Sequence, residues 1–182
     1  MPKRPTTSTE ETDSRSRTVL GNEPLVEFLL DHGADINARS DRWDTMSLDV
    51  AAAANGVAVV KFLLAHGAKI AGANPLHQAA SSSTKTHDQQ EMMAFLIDEA
   101  GIDINALSTF GHRINKVNGD ENGTPLHAAI RSGEEHRIIF LLDRGSDLEK
   151  KNEMGDTPLE YARRWGFAEG VRILEERMPG TK

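Results

Sequence analysis

Short apolar blocks recur along this chain, each separated from the next by a glycine or a polar turn. The clearest stretch runs from Asn122 to Ala162. Leu126, Ala128, Ala129 and Ile130 predict a short helix of small residues, and Gly133 ends it. Thr124 is placed to cap that helix, and Pro125 falls at its first position, where a missing N–H costs little. Ile138 to Leu142 is apolar nearly all round, so it predicts a second helix covered on more than one side. Gly145 suits the left-handed closure of that helix, and the polar run from Asp147 to Gly155 predicts an outgoing loop or hairpin finger. The pattern then restarts. Thr124-Pro125-Leu126-His127 returns as Thr157-Pro158-Leu159-Glu160, a period of 33 residues.

The same text runs through most of the chain. Helix-closing glycines are expected at Gly33, Gly67, Gly101 and Gly145, the first three 34 residues apart. Around them stand Leu29-Leu30-Asp31-His32, Leu63-Leu64-Ala65-His66, Leu96-Ile97-Asp98-Glu99 and Leu141-Leu142-Asp143-Arg144. A single such unit has no partner for its apolar faces, whereas stacked units do. With its Thr-Pro-Leu-His-x-Ala motif, the chain from about Gly21 to Met178 resembles an array of ankyrin repeats. The resemblance implies an all-α solenoid of four to five helix-turn-helix units with short β-hairpin fingers. The expected units are 21–38 (partial), 45–71, 74–106, 123–149 and 156–179. It also implies non-catalytic binding of a protein partner through the fingers and the concave helix face. His77 and His127 then resemble hydrogen-bonding links between adjacent units. Asn37 and Asn105 resemble sites of β-hydroxylation; the alternative is that each stabilises its own turn.

The departures from the pattern carry as much information as the pattern. The first helix of the first unit should lie near Thr12 to Val19, where the text is polar, so that helix is either missing or poor. An array with such an end is frayed, covered by a partner, or the C-terminal part or an accessory module of a longer one. The second unit starts on Met46-Ser47-Leu48-Asp49, a weaker form of the motif. The finger before Leu76 is clipped, and a polar insertion around Ser81 to Asp88 should bulge between the helices of the third unit. A long finger before Gly123 interleaves Leu107, Phe110, Ile114 and Val117 with His112, Arg113 and Lys116, as a contact surface or a segment packed on its neighbour. The last helix, Ala168 to Met178, is apolar on one face and charged elsewhere, as an end cap should be. Residues 1–20 read as a disordered polar tail ahead of a domain spanning 21–179.

Composition narrows the function. At 182 residues the chain is one domain, burying roughly 70% of its unfolded surface. A net charge of -7 argues against nucleic acid, whose phosphates require clustered Lys and Arg. Zero cysteines excludes disulfides and thiolate metal sites, and fits a cytoplasmic setting with the nucleus as the alternative. No run approaches the roughly 18 apolar residues of a membrane span. Equivalent histidines such as His32 and His66 should lie about 8–10 Å apart, too far to share a metal that needs ligands at about 2 Å. No catalytic motif, cofactor or metal site is expected, and the protein is expected to be a monomer. The expected contact residues are Arg39, Arg42, Trp43, Phe110, His112 and Arg113, because interface hot spots favour aromatics and arginine. Trp43 has an equal alternative, folding over its own finger base. Trp165 is expected to cover the C-terminal edge of the core.

Overall fold

The computed structural model describes residues 19–40, 44–82, 88–109 and 123–178. Nine helices are defined among them: α1 (Glu23–Asp31), α2 (Ser47–Ala54), α3 (Val57–Ala65), α4 (Pro75–Ser81), α5 (Asp88–Asp98), α6 (Pro125–Ser132), α7 (Glu135–Asp143), α8 (Pro158–Arg164) and α9 (Ala168–Arg177). They pair as α2–α3, α4–α5, α6–α7 and α8–α9, with α1 the second helix of a leading unit. The inner helices α2, α4, α6 and α8 stack side by side, and the second helices form an outer layer behind them.

Residue size sets this layering. Ala51, Ala79, Ala129 and Ala162 recur at one position of the inner helices and are fully buried, so neighbouring backbones approach closely. Leu48, Leu76 and Leu126 fill the layer between them. In the outer layer Leu63, Leu96, Leu141 and Leu174 are fully buried. Each such side chain contributes about 1.5–3 kcal/mol, realised only when a neighbouring unit is present.

The outer helices end in one hydrogen-bonded motif. Ala34 N donates to Leu29 O at 3.0 Å, Ala68 N to Leu63 O at 2.9 Å and Ser146 N to Leu141 O at 3.1 Å. The chain turns through a glycine at φ 88, 90 and 85° respectively, a region open to glycine because it has no Cβ. The third unit differs. There Ile102 N reaches back to Leu96 O at 3.0 Å, one residue further. The even glycine spacing had concealed an extra residue between Leu96 and Gly101.

Val19 and Leu20 are helical and Leu20 packs in the core, so ordered structure starts before Gly21. The rest of the expected first helix lies outside the described residues. The polar insertion of the third unit is anchored at both roots. Ser82 Oγ and Gln89 Nε2 both donate to Ala53 O, at 2.6 and 3.1 Å. Arg137, from α7, is buried and donates to the carbonyls of Ala80 and Ser82 at the end of α4. Three consecutive units are thereby tied together at one point.

The fingers carry no strand among the described residues. Three of them are closed at the base by backbone bonds: Ser40 N to Thr45 O (2.8 Å), Ser108 N to Gly123 O (2.9 Å) and Asn152 N to Asp156 O (2.9 Å). Among the described residues the expected hairpins show these single rungs and no strand ladder. Trp165 is 49% exposed and does not cover the core edge. Tyr161 does so instead, fully buried and edge-on to His127 at 5.3 Å.

Arg137→Ala should leave the Ala80 and Ser82 carbonyls short of their donor. The expected cost is about 2–4 kcal/mol, read as a lowered denaturant midpoint at unchanged slope. An unchanged midpoint would show that water replaces the guanidinium.

Candidate partner-binding surface

Finger position is set by the fourth residue of the tetrapeptide in the second, third and fourth units. In the fourth unit His127 Nδ1 faces Thr124 N (3.2 Å) and Thr124 Oγ1 (2.9 Å), while Nε2 points to Asp156 O (3.2 Å), just before the next unit's Thr157. A carbonyl only accepts, so Nε2 carries the proton and Nδ1 is the acceptor. In the third unit His77 Nε2 donates to two carbonyls, Ala106 (3.1 Å) and Gly123 (2.9 Å). These carbonyls flank the long finger, so one imidazole clamps both of its stems. The second unit inverts the polarity. Asp49 accepts from Met46 N (2.8 Å) through one oxygen and from Asn74 N (2.5 Å) in the next unit through the other. In the last described unit Glu160 turns back to cap its own helix, accepting from Thr157 N at 2.8 Å.

Burial sets the charge of these links. It pushes the His77 and His127 imidazoles down to about 4, so both are neutral near pH 7. Burial also raises the Asp49 carboxyl, against the opposing pull of its two backbone donors.

A second set of bonds joins the fingers. Asp35, Asp103 and Asp147 each accept the N–H two residues on, at 2.9, 2.8 and 2.8 Å, which shapes the turn. Asn37 then reaches the next finger, accepting from Lys69 N (2.8 Å) and donating to Gly67 O (3.0 Å). Asn105 accepts from Asp147 N at 2.8 Å in the same way. The equivalent residue between them is Ala71, which has no side-chain acceptor to offer. Beside it the clipped finger leaves a cavity of about 240 Å³, lined by Ile70, Ala73, Ile102, Ala106 and Leu107 among others. Asn74 forms part of the lining; its Oδ1 accepts from Thr109 N at 2.7 Å, while its Nδ2 is buried with no hydrogen-bond partner.

Of the expected contact residues, Arg39 is described. Its guanidinium donates to Asp44 O at 2.8 Å and to Gly72 O, and pairs with the Asp44 carboxylate at 3.3 Å. It tethers its finger to the clipped one. Arg42, Trp43, Phe110, His112 and Arg113 lie outside the described residues. Sequence reasoning missed Asp49 and Arg137. Asp49 was detectable from its place in the tetrapeptide. Arg137 was detectable as a charge at the register position held by Leu25, Val59 and Met92 in the other units. No group of side chains able to hold a metal occurs among the described residues, and no helix described is long and apolar enough to cross a membrane.

Stacked helix pairs joined through such links define a helical-repeat solenoid. A family model described as ankyrin repeats (3 copies) matches residues 17–108 and 106–180, and the chain belongs to that family. It is 37% identical over 157 residues to a mitochondrial disaggregase of Bos taurus, covering 86% of this chain and 22% of that protein. It is 31% identical over 177 residues to the mitochondrial disaggregase of Homo sapiens, covering 86% of this chain and 25% of that one. A putative ankyrin repeat protein of Rickettsia bellii is 30% identical over 128 residues, with 68% of this chain and 62% of that protein covered. The chain thus spans about a quarter of the length of the disaggregases it matches. Ankyrin repeats generally mediate protein–protein interaction and are typically non-enzymatic.

The neutral histidines carry a pH dependence. Unfolded, each titrates near 6.5; folded, at about 4. Between those values the unfolded chain binds more protons, so stability is complete above 6.5 and falls as pH drops towards 4. Asp49 opposes part of the loss at the acid end, because its raised carboxyl binds a proton more readily in the folded chain. Denaturant midpoints across this range should fall steeply for the native chain and less steeply for His77→Gln/His127→Gln. Equal slopes would remove the histidines as the cause.

Proposed function

We propose that this chain is a non-catalytic scaffold that binds a protein partner through its fingers and the concave face of its inner helices. The observation that carries this reading is the row of links from Asp49 through His77 and His127. They hold the finger bases in fixed register with buried hydrogen bonds. A surface ordered before binding loses little entropy when a partner docks. Arg42, Trp43, Phe110, His112 and Arg113 supply the aromatic and cationic anchors in this reading, while Arg39 ties its own finger to the Gly72 carbonyl of the clipped one. The setting is cytoplasmic, in line with the absence of cysteine. A second reading, an accessory array within a larger ankyrin-repeat protein, is favoured by the small share of the disaggregases that the chain covers.

Affinity capture from native lysate with mass spectrometry identifies the partner, and substitution then tests the surface. Trp43→Ala and Phe110→Ala should each weaken binding about tenfold or more, as hot-spot residues do, with little change in melting temperature. Lowered melting temperatures at unchanged affinity would make both residues structural.

β-Hydroxylation of Asn37 and Asn105 is carried forward as part of the proposal, with both side chains already engaged between units. Mass analysis of peptides from the native cell should show one added oxygen on either residue; unmodified peptides throughout would remove it.

A further inference from the structure

We propose that the cavity beside the clipped finger takes a glutamine side chain of the partner protein, held by its carboxamide. This rests on the fingers being the face that meets that partner. On either side of the cavity the array fills the equivalent place with a carboxamide of its own. Asn37 accepts from Lys69 N at 2.8 Å and donates to Gly67 O at 3.0 Å. Asn105 accepts from Asp147 N at 2.8 Å. In both cases the amide leaves one finger and meets the start of the next.

Between these two places the series is broken. Gly101-Ile102-Asp103-Ile104-Asn105 repeats Gly33-Ala34-Asp35-Ile36-Asn37 with one change, and Asp103 closes the same turn by accepting from Asn105 N at 2.8 Å. Asp103 N and Gly101 O therefore stand where Lys69 N and Gly67 O stand in the preceding unit. The finger due to serve them turns at Ala71 and Gly72, with Ala73 N bonded to Ile70 O at 3.0 Å, and neither turn residue carries an amide side chain. No hydrogen bond from a described residue reaches Asp103 N or Gly101 O. Gly101 and Asp103 both line the cavity of about 240 Å³, so the unserved pair borders the space that the missing side chain leaves. The same lining holds a further unused donor, Asn74 Nδ2, in a side chain that is 3% exposed.

One donor beside one acceptor selects the occupant. A primary carboxamide presents C=O and N–H on one edge and serves both, as Asn37 does. A trans backbone peptide points its two groups apart. A carboxylate has no proton for Gly101 O and meets the charge of Asp103, and an ammonium or guanidinium has no acceptor for Asp103 N. The lining from Ile70, Ala73, Ile102 and Leu107 is apolar and suits a methylene stem. Glutamine has one methylene more than asparagine, which gives an incoming chain the reach that a residue of the array itself does not need.

The test follows amide NMR spectra of the full chain during titration with N-acetyl-glutamine methylamide, against its methionine and glutamate counterparts. The glutamine probe should shift the Asp103 amide resonance saturably and bind at least about tenfold tighter than either counterpart, as two added hydrogen bonds allow. Ala73→Leu, which fills the apolar side of the cavity, should abolish that shift at unchanged melting temperature. No shift at Asp103 with glutamine, an equal response to methionine, or an undiminished shift in a stably folded Ala73→Leu would overturn the proposal. If Ala73→Leu lowers the melting temperature, the three probes on the native chain decide alone. The probe reads the cavity without the partner, so its failure leaves binding through Trp43 and Phe110 standing. Partner affinity unmoved by Trp43→Ala and Phe110→Ala would instead remove that reading and leave the probe result in place.

Discussion

A helix pair of this size has more apolar surface than it can cover alone, and every other feature of the protein answers to that shortage. Stacking relieves it, but stacking by apolar contact permits sliding and rotation. At three joints the fourth residue of the tetrapeptide removes that freedom. Asp49 and His127, buried at their joints, each satisfy their own helix start and the backbone of the next unit together. Because an unpaired buried polar group costs about 1–3 kcal/mol, only the one register that satisfies both ends is tolerated. Carboxylate and imidazole do this work with opposite polarity, Asp49 by accepting and His77 and His127 by donating.

The irregular places are held by additional polar contacts. Arg39 crosses to the clipped finger, Asn74 receives Thr109 at the root of the long one, and Arg137 with Ser82 and Gln89 secures the insertion. Insertions in such an array are cheap in loop entropy. Their roots are not, because each interrupts a backbone pattern whose donors and acceptors must still be paired. The two ends also differ in kind. The C-terminal helix α9 turns outward a network of Arg172 with Glu169 and Glu176. One side of α1 leaves Leu25, Phe28 and Leu29 partly exposed.

The architecture was legible because glycine, proline and the tetrapeptide act locally. A glycine at φ near 90° or a proline at a helix start needs no distant partner to show its role. The contact residues were far less legible. Arg39, chosen as an anchor for a partner, holds Gly72 of its own chain, and only the folded array places that carbonyl within reach. Trp165, chosen to close the core, is half exposed because Tyr161, one helical turn earlier, already fills the site. The even spacing of Gly67 and Gly101 hid an added residue, since a loop can absorb what a leucine register cannot.

By itself the sequence determined the repeat and the all-α solenoid, because each follows from backbone preferences and apolar periodicity within one unit. The tertiary structure decided which polar groups are neutral and buried, which arginines are tied down and which apolar stripe is left uncovered. Those properties belong to pairs of units. The burial of Leu63 and the exposure of Leu29 arise from the same residue type in the same local text, and only the neighbour distinguishes them.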